Sequence, residues 1–152
     1  MQKISPFLWF DNQAEEAANY YVSVFKNSKL GTVTRYDAAA AKASGQPEGS
    51  VLTVNFQIEG VDFTALNGGP VFKFTEAISF VVTCKDQDEI DYYWEKLSAV
   101  PEFEQCGWCK DTYGVSWQIV PQGLSELIKA PAGMQAMLKM KKLNIDELKN
   151  AK

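Results

Sequence analysis

The chain of 152 residues contains no histidine. Imidazole is the commonest general base and metal ligand at neutral pH, so Ser-His-Asp and Cys-His catalysis are excluded. Three cysteines, Cys84, Cys106 and Cys109, are too few for a four-ligand zinc site without carboxylate help. Cys106-Gly107-Trp108-Cys109 has the spacing of a dithiol redox motif. That chemistry needs its first thiol at a helix N-terminus, where the dipole lowers the pKa. Here the pair falls in a strand-like segment, where residues three apart point to opposite faces, so structural thiols are expected. Two other stretches, Gly60-Val61-Asp62-Phe63-Thr64 and Gly114-Val115-Ser116-Trp117-Gln118, share one form: Gly-Val, a small polar residue, an aromatic, a polar residue. What stands at Thr64 and Gln118 decides which chemistry is available.

The remaining composition narrows the function classes. A net charge of -4 argues against a nucleic-acid groove, and the basic run Lys139-Met140-Lys141-Lys142 is too short to change that. No apolar run approaches the roughly 18 residues of a membrane helix. The N-terminus shows no apolar stretch ahead of a cleavage site. We expect a cytoplasmic protein with reduced thiols and no membrane partner.

The elements that must position these residues fall into two related halves. Residues 4–10 read as a strand with Ser5, Phe7 and Trp9 on one face and Ile4, Leu8 and Phe10 on the other. Asp11 and Asn12 offer N-caps, with Glu15 completing a capping box, for a helix over 13–25 whose apolar stripe includes Ala14, Ala17, Ala18, Tyr21, Val24 and Phe25. Strands follow over 29–36, 50–58 and 61–67, the last two joined by the turn Glu59-Gly60. Between them the Ala-rich residues 38–49 predict a mobile loop, a candidate lid, with a short helix capped by Asp37. The second half repeats the order. A strand over 77–84 precedes a helix capped by Asp86, with Ile90, Tyr93, Trp94 and Leu97 inward. A strand-like segment then covers 103–110 and the Gly114 strand closes the half. One strand of this half is weak or short. A helical tail carries Met134, Met137 and Leu138 at helical spacing, and Asn144 caps its last helix.

Three groups of residues carry a family resemblance. The first is Pro6-Phe7-Leu8-Trp9-Phe10 with Ala14-Glu15-Glu16-Ala17 and Tyr20-Tyr21. The second is Ala65-Leu66-Asn67-Gly68-Gly69-Pro70 with Phe72-Lys73-Phe74. The third is Cys106-Gly107-Trp108, Lys110-Asp111 and the strand from Gly114 to Pro121, with Met137 and Met140-Lys141-Lys142 beyond. Together they resemble the PhnB-like, 3-demethylubiquinone-9 3-methyltransferase-like proteins of the vicinal oxygen chelate superfamily, which includes glyoxalase I and bleomycin-resistance protein. The resemblance implies an α+β fold of two βαβββ modules forming a curved mixed sheet around a cavity, usually in a homodimer. Residues 1–152 are then one domain, with module one at about 1–70, module two at about 71–123 and a helical tail at about 124–152.

In metal-dependent members of that superfamily the ligands are His and Glu on the first and fourth strands of each module. The matching positions here are about Ser5, Thr64, Ser79 and Gln118, with Phe7 or Ala77 as alternatives on the same faces. None is charged and none is an imidazole or thiolate, so no metal is expected. The methyltransferase label implies S-adenosylmethionine, but Gly68-Gly69-Pro70 opens no capped helix and reads as a connector, so no cofactor is expected. What remains is a small-molecule pocket lined by Phe7, Trp9, Thr53, Asn55, Thr64, Ser79 and Gln118, suited to a neutral or mildly polar planar ligand. The leading expectation is a metal-independent binding protein. The alternatives are a transferase or isomerase using Gln118 and Ser79 as hydrogen-bonding electrophiles, and a structural dimer whose cavity its own side chains fill.

Overall fold

A computed structural model describes residues 2–152, which divide into two compact units, up to Lys73 and Phe74–Lys152. In the first unit, β1 (Phe7–Phe10), α1 (Ala14–Val24), β2 (Lys29–Arg35), α2 (Ala38–Ser44), β3 (Val51–Ile58) and β4 (Val61–Asn67) follow in order. The four strands form one mixed sheet in the order β1-β4-β3-β2, with β1 parallel to β4 and the other neighbours antiparallel. Helix α1 covers one face. Ala14, Ala17 and Ala18 are fully buried, and their small side chains let the helix approach closely enough for Tyr21 to stack on Phe56 at 6.1 Å. Phe56 stacks in turn on Phe63 at 5.3 Å, and Leu8, Phe10, Val54 and Ala65 complete the core.

Two local expectations for this unit change. The first strand begins at Phe7, so Ser5 lies outside it. The cap of α1 comes from neither Asp11 nor Asn12. Gln13 holds the N-cap position with no side-chain cap bond, and the Ala14 N–H donates to Asn67 Oδ1 at 2.8 Å. Asn67 can do this because it ends β4 beside the start of the helix, 53 residues along the chain. The Ala-rich stretch forms α2 between an Asp37 cap, which accepts from Ala40 N at 2.8 Å, and Gly45 in the left-handed region.

The second unit contains β5 (Ser79–Cys84), α3 (Gln87–Leu97), β6 (Trp108–Lys110), β7 (Ser116–Pro121), α4 (Leu124–Leu127), α5 (Pro131–Leu138) and α6 (Ile145–Lys149). Its sheet has three strands in the order β5-β7-β6, with β5 parallel to β7. Asp86 caps α3 by accepting from Glu89 N, and Glu89 accepts from Lys85 N. Ile90 and Leu97 pack fully buried with Ile119, and Trp117 is buried with them.

The strand expected over 103–110 is interrupted, so this unit lacks the fourth strand of the repeat. Pro101–Phe103 is a short 3-10 turn. Cys106 and Gly107 then take φ values of 40° and 89°, and Gln105 and Trp108 bond each other across them. Left-handed φ at both central residues is the type I′ hairpin pattern, which ends a strand within two residues. The tail fills the vacated hydrogen-bonding positions: Cys106 N–H donates to Met140 O at 2.7 Å and Gly107 N–H to Lys141 O at 2.8 Å. The Gln87 side chain donates to Leu143 O and accepts from Ile145 N, and Leu143 and Leu148 are buried. Asn144 caps α6 as expected, accepting from Glu147 N. On α5, Met134 and Leu138 are exposed. Among the described residues no helix is long and apolar enough to cross a membrane.

Candidate functional site

Strand pairing decides which predicted residues share a face, because partners in register point the same way. In the first unit Phe7, Thr64 and Asn55 form one row across β1, β4 and β3, and Trp9, Leu66 and Thr53 form the next. These rows lie on the face opposite α1. Thr64 Oγ1 donates to Asn55 Oδ1 at 3.0 Å. Gln57 donates to Asp62 at 2.6 Å, and the Thr34 and Thr53 hydroxyls are 2.6 Å apart. A cavity of about 330 Å³ lies along this face, lined by Lys29, Gly31, Asn55, Gln57, Asp62 and Thr64 among others. At Gly31 a Cβ would sit 3.2 Å from Asn55 O, so glycine lets β2 run close beside the cavity floor.

Asn55 and Thr64 therefore line a cavity, while Phe7, Trp9 and Thr53 share their face without lining it. Phe7 is 61% exposed. Trp9 is half-buried for a local reason. Its indole N–H donates to Gly69 O at 2.9 Å, and its ring meets Phe72 edge-on at 4.9 Å. Alternation along β3 puts Gln57 on the same potentially pocket-lining face as Thr53 and Asn55, whereas Lys29 and Asp62 were missed from the sequence. For Asp62 the alternation that singled out Thr64 places it two residues away on the same face, so the signal was present.

In the second unit Gln118 Nε2 donates to Ser79 Oγ at 3.0 Å, so these two predicted residues do meet. Ser79 pairs with Ser116 in register, and Gln118 pairs with Val81 and Trp108. Ser5 and Ala77 lie outside the strands, and Phe7 is the residue opposite Thr64.

Two of the three free thiols, Cys84 and Cys109, are buried. Burial pushes Cys109 up to about 12, helped by Asp111 and Glu104, and burial pushes Cys84 to about 12, helped by Glu89 and Asp86. A group so rarely ionised is a poor nucleophile. We expect thiol-specific alkylation at neutral pH to leave Cys84 and Cys109 unmodified in the folded protein and to reach them only after unfolding. Rapid labelling of Cys109 in the folded protein would contradict this.

Neither unit's matching positions fit a catalytic divalent metal. Phe7 and Thr64 in the first unit, and Ser79 and Gln118 in the second, offer no charge to offset desolvation of a dication. No group of three His, Cys, Asp or Glu side chains that could hold a metal ion occurs among the described residues. Nor do the glycines fit a cofactor cradle. Gly68 N–H donates to Phe10 O and Gly69 N–H to Asp11 O, so both donors are spent on β1 and the turn after it. A Cβ on Gly68 would lie 2.7 Å from Trp9 Cη2 and closer still to Cζ2 and Cε2. The glycine is there to seat the indole. Gly68→Ala is expected to cost about 1–3 kcal/mol by overpacking and to shift Trp9 emission, read by urea denaturation and fluorescence.

The model of the 3-demethylubiquinone-9 3-methyltransferase family matches residues 2–120. No curated protein matches the chain. Among solved structures, the PhnB protein of Bacillus cereus is 36% identical, covering 79% of this chain and 99% of its own, with a TM-score of 0.64. Protein PA1353 of Pseudomonas aeruginosa is 14% identical, covers 80% and 98% respectively, and has a TM-score of 0.56, a likeness of fold alone. The family match across most of the chain, together with that identity to the Bacillus protein, makes this chain a member of the PhnB-like, 3-demethylubiquinone-9 3-methyltransferase family.

Proposed function

We propose that this protein is a metal-independent, cytoplasmic, homodimeric binder of a small planar molecule, acting as one domain over residues 1–152. The cavity beside Asn55 and Thr64 carries the reading. Its polar groups are neutral amides and hydroxyls with one lysine and one aspartate, which suit hydrogen bonding to a ligand rather than metal capture. A melting-temperature screen of small planar compounds tests it. A ligand at a hundredfold excess over Kd stabilises by about 2.7 kcal/mol, a rise of several degrees. The rise is expected to shrink in Asn55→Ala and Thr64→Val. Elemental analysis of the purified protein is expected to find no stoichiometric divalent metal. Stoichiometric metal, or a rise that both variants retain in full, would refute the proposal.

The Gln118–Ser79 pair favours a second reading, a transferase or isomerase acting on a planar or quinone-like substrate. There Gln118 and Ser79 would polarise a carbonyl by hydrogen bonding. Turnover abolished in Ser79→Ala, with binding retained, would select this reading over simple binding.

A further inference from the structure

Among the described residues, Ser116 Oγ is the buried side-chain oxygen with no hydrogen-bond partner. Ser116 is 2% exposed. Buried hydroxyls are almost always paired, so an orphan calls for an explanation, and a bound ligand is one. Ser116 stands in the middle of a row across the second sheet, with Ser79 on one side and Lys110 on the other. The next row holds Gln118 and Trp108. The first unit differs, because its corresponding polar residues are bonded to one another, Thr64 to Asn55 and Gln57 to Asp62.

Lys110 is itself unusual. Its side chain is only 13% exposed and its ammonium lies 3.6 Å from the centre of the Phe103 ring. Its counter-ion is Glu76, whose side chain is 50% exposed and which lies outside any helix or strand, ahead of β5. A well-buried cation is thus neutralised by a carboxylate on a chain segment without regular structure. That arrangement resembles a ligand position filled by the protein's own side chain.

We propose that Lys110 and Ser116 form a carboxylate-binding site for which Glu76 is an internal stand-in. A small organic carboxylate would displace Glu76, giving one oxygen to the Lys110 ammonium and the other to the Ser116 hydroxyl. Two carboxylates beside one ammonium repel each other, so ligand entry and Glu76 departure are coupled. Trp108, one step along β6 on the same face, offers a flat apolar wall for an aromatic body. The site uses neither Asn55 nor Thr64 and so goes beyond the binding reading above.

The test is a titration of the whole chain with benzoate, and with benzamide as its uncharged isostere, followed through backbone amide NMR shifts. Benzoate is expected to shift Lys110 and Ser116 saturably, and benzamide is not. Glu76→Gln removes the competitor and is expected to tighten benzoate binding roughly twofold to fivefold, the worth of an exposed ion pair. Ser116→Ala is expected to weaken it, and Lys110→Met to abolish it. Should Lys110→Met fail to fold, Glu76→Gln and Ser116→Ala still decide, since one is half-exposed and the other deletes one oxygen. No saturable benzoate shift, equal response to benzamide, or a Glu76→Gln variant that melts lower without binding more tightly would overturn the proposal. Asn55→Ala is expected to leave the titration unchanged, which separates failure here from failure of the Asn55–Thr64 cavity.

Discussion

Asp111→Ala is expected to remove about 3–5 kcal/mol of folding stability, a large part of the 5–15 kcal/mol typical of a domain. The carboxylate is 2% exposed and gathers three donors. Its Oδ1 accepts from Tyr113 N at 2.8 Å and Val115 N at 3.0 Å, and its Oδ2 accepts from the Trp117 indole N–H at 2.9 Å. Truncation leaves these groups unpaired in a turn and core that water does not readily reach. Each orphaned buried donor costs about 1–3 kcal/mol, less where the group is partly exposed, as at Tyr113. Asp111→Asn keeps one carbonyl oxygen and turns an NH2 group toward the donors that lose theirs. About half the loss is expected from it. Urea denaturation by far-UV circular dichroism measures both, and a loss below 1 kcal/mol for Asp111→Ala would contradict the assignment. The turn also sets the start of β7, so the variant should disturb Ser116 and Gln118 together.

The second large effect is expected at Asn67, and it separates two accounts of how α1 begins. Asn67→Ala is expected to cost about 2–3 kcal/mol. The helix loses a cap, typically about 1 kcal/mol. The donor from Asn67 Nδ2 to Val51 O at 3.2 Å also goes, so a part-buried carbonyl loses a partner. Asn12→Ala, at the residue that the local sequence marks as the cap, is expected to change stability by less than about 0.5 kcal/mol, because Asn12 is exposed and makes no cap bond. If Asn12→Ala proves the costlier of the two, the long-range cap is wrong. The backbone carbonyl of Asn67 also accepts from the Tyr36 hydroxyl at 2.5 Å. A side-chain substitution leaves that bond available, so the measured loss reports on the amide.

The site was partly visible in the residue order. Alternation along β3 and β4 is enough to place Asn55 and Thr64 on one face, since every second residue must point the same way. It could not show that Phe7 and Trp9 share that face without lining the cavity, because that depends on how β1 sits at the edge of the sheet. The repeat singled out Ser79 and Gln118 as candidate site residues but not the bond between them, and the neighbouring Lys110 and Ser116 were not singled out. Their meaning lies in a missing bond and an ion pair to a residue 34 positions away, which no local pattern carries.

From the amino-acid order alone came the two-part α+β plan and the caps of α2, α3 and α6. These follow from periodicity and cap residues, properties that a short window contains. Only the folded chain decided that Asn67 caps α1, that Cys106-Gly107 turns where a strand was expected, and that Ser116 is buried without a partner. Each of those depends on groups far apart in the chain being brought within hydrogen-bonding distance, or kept from it, by the packing of a sheet.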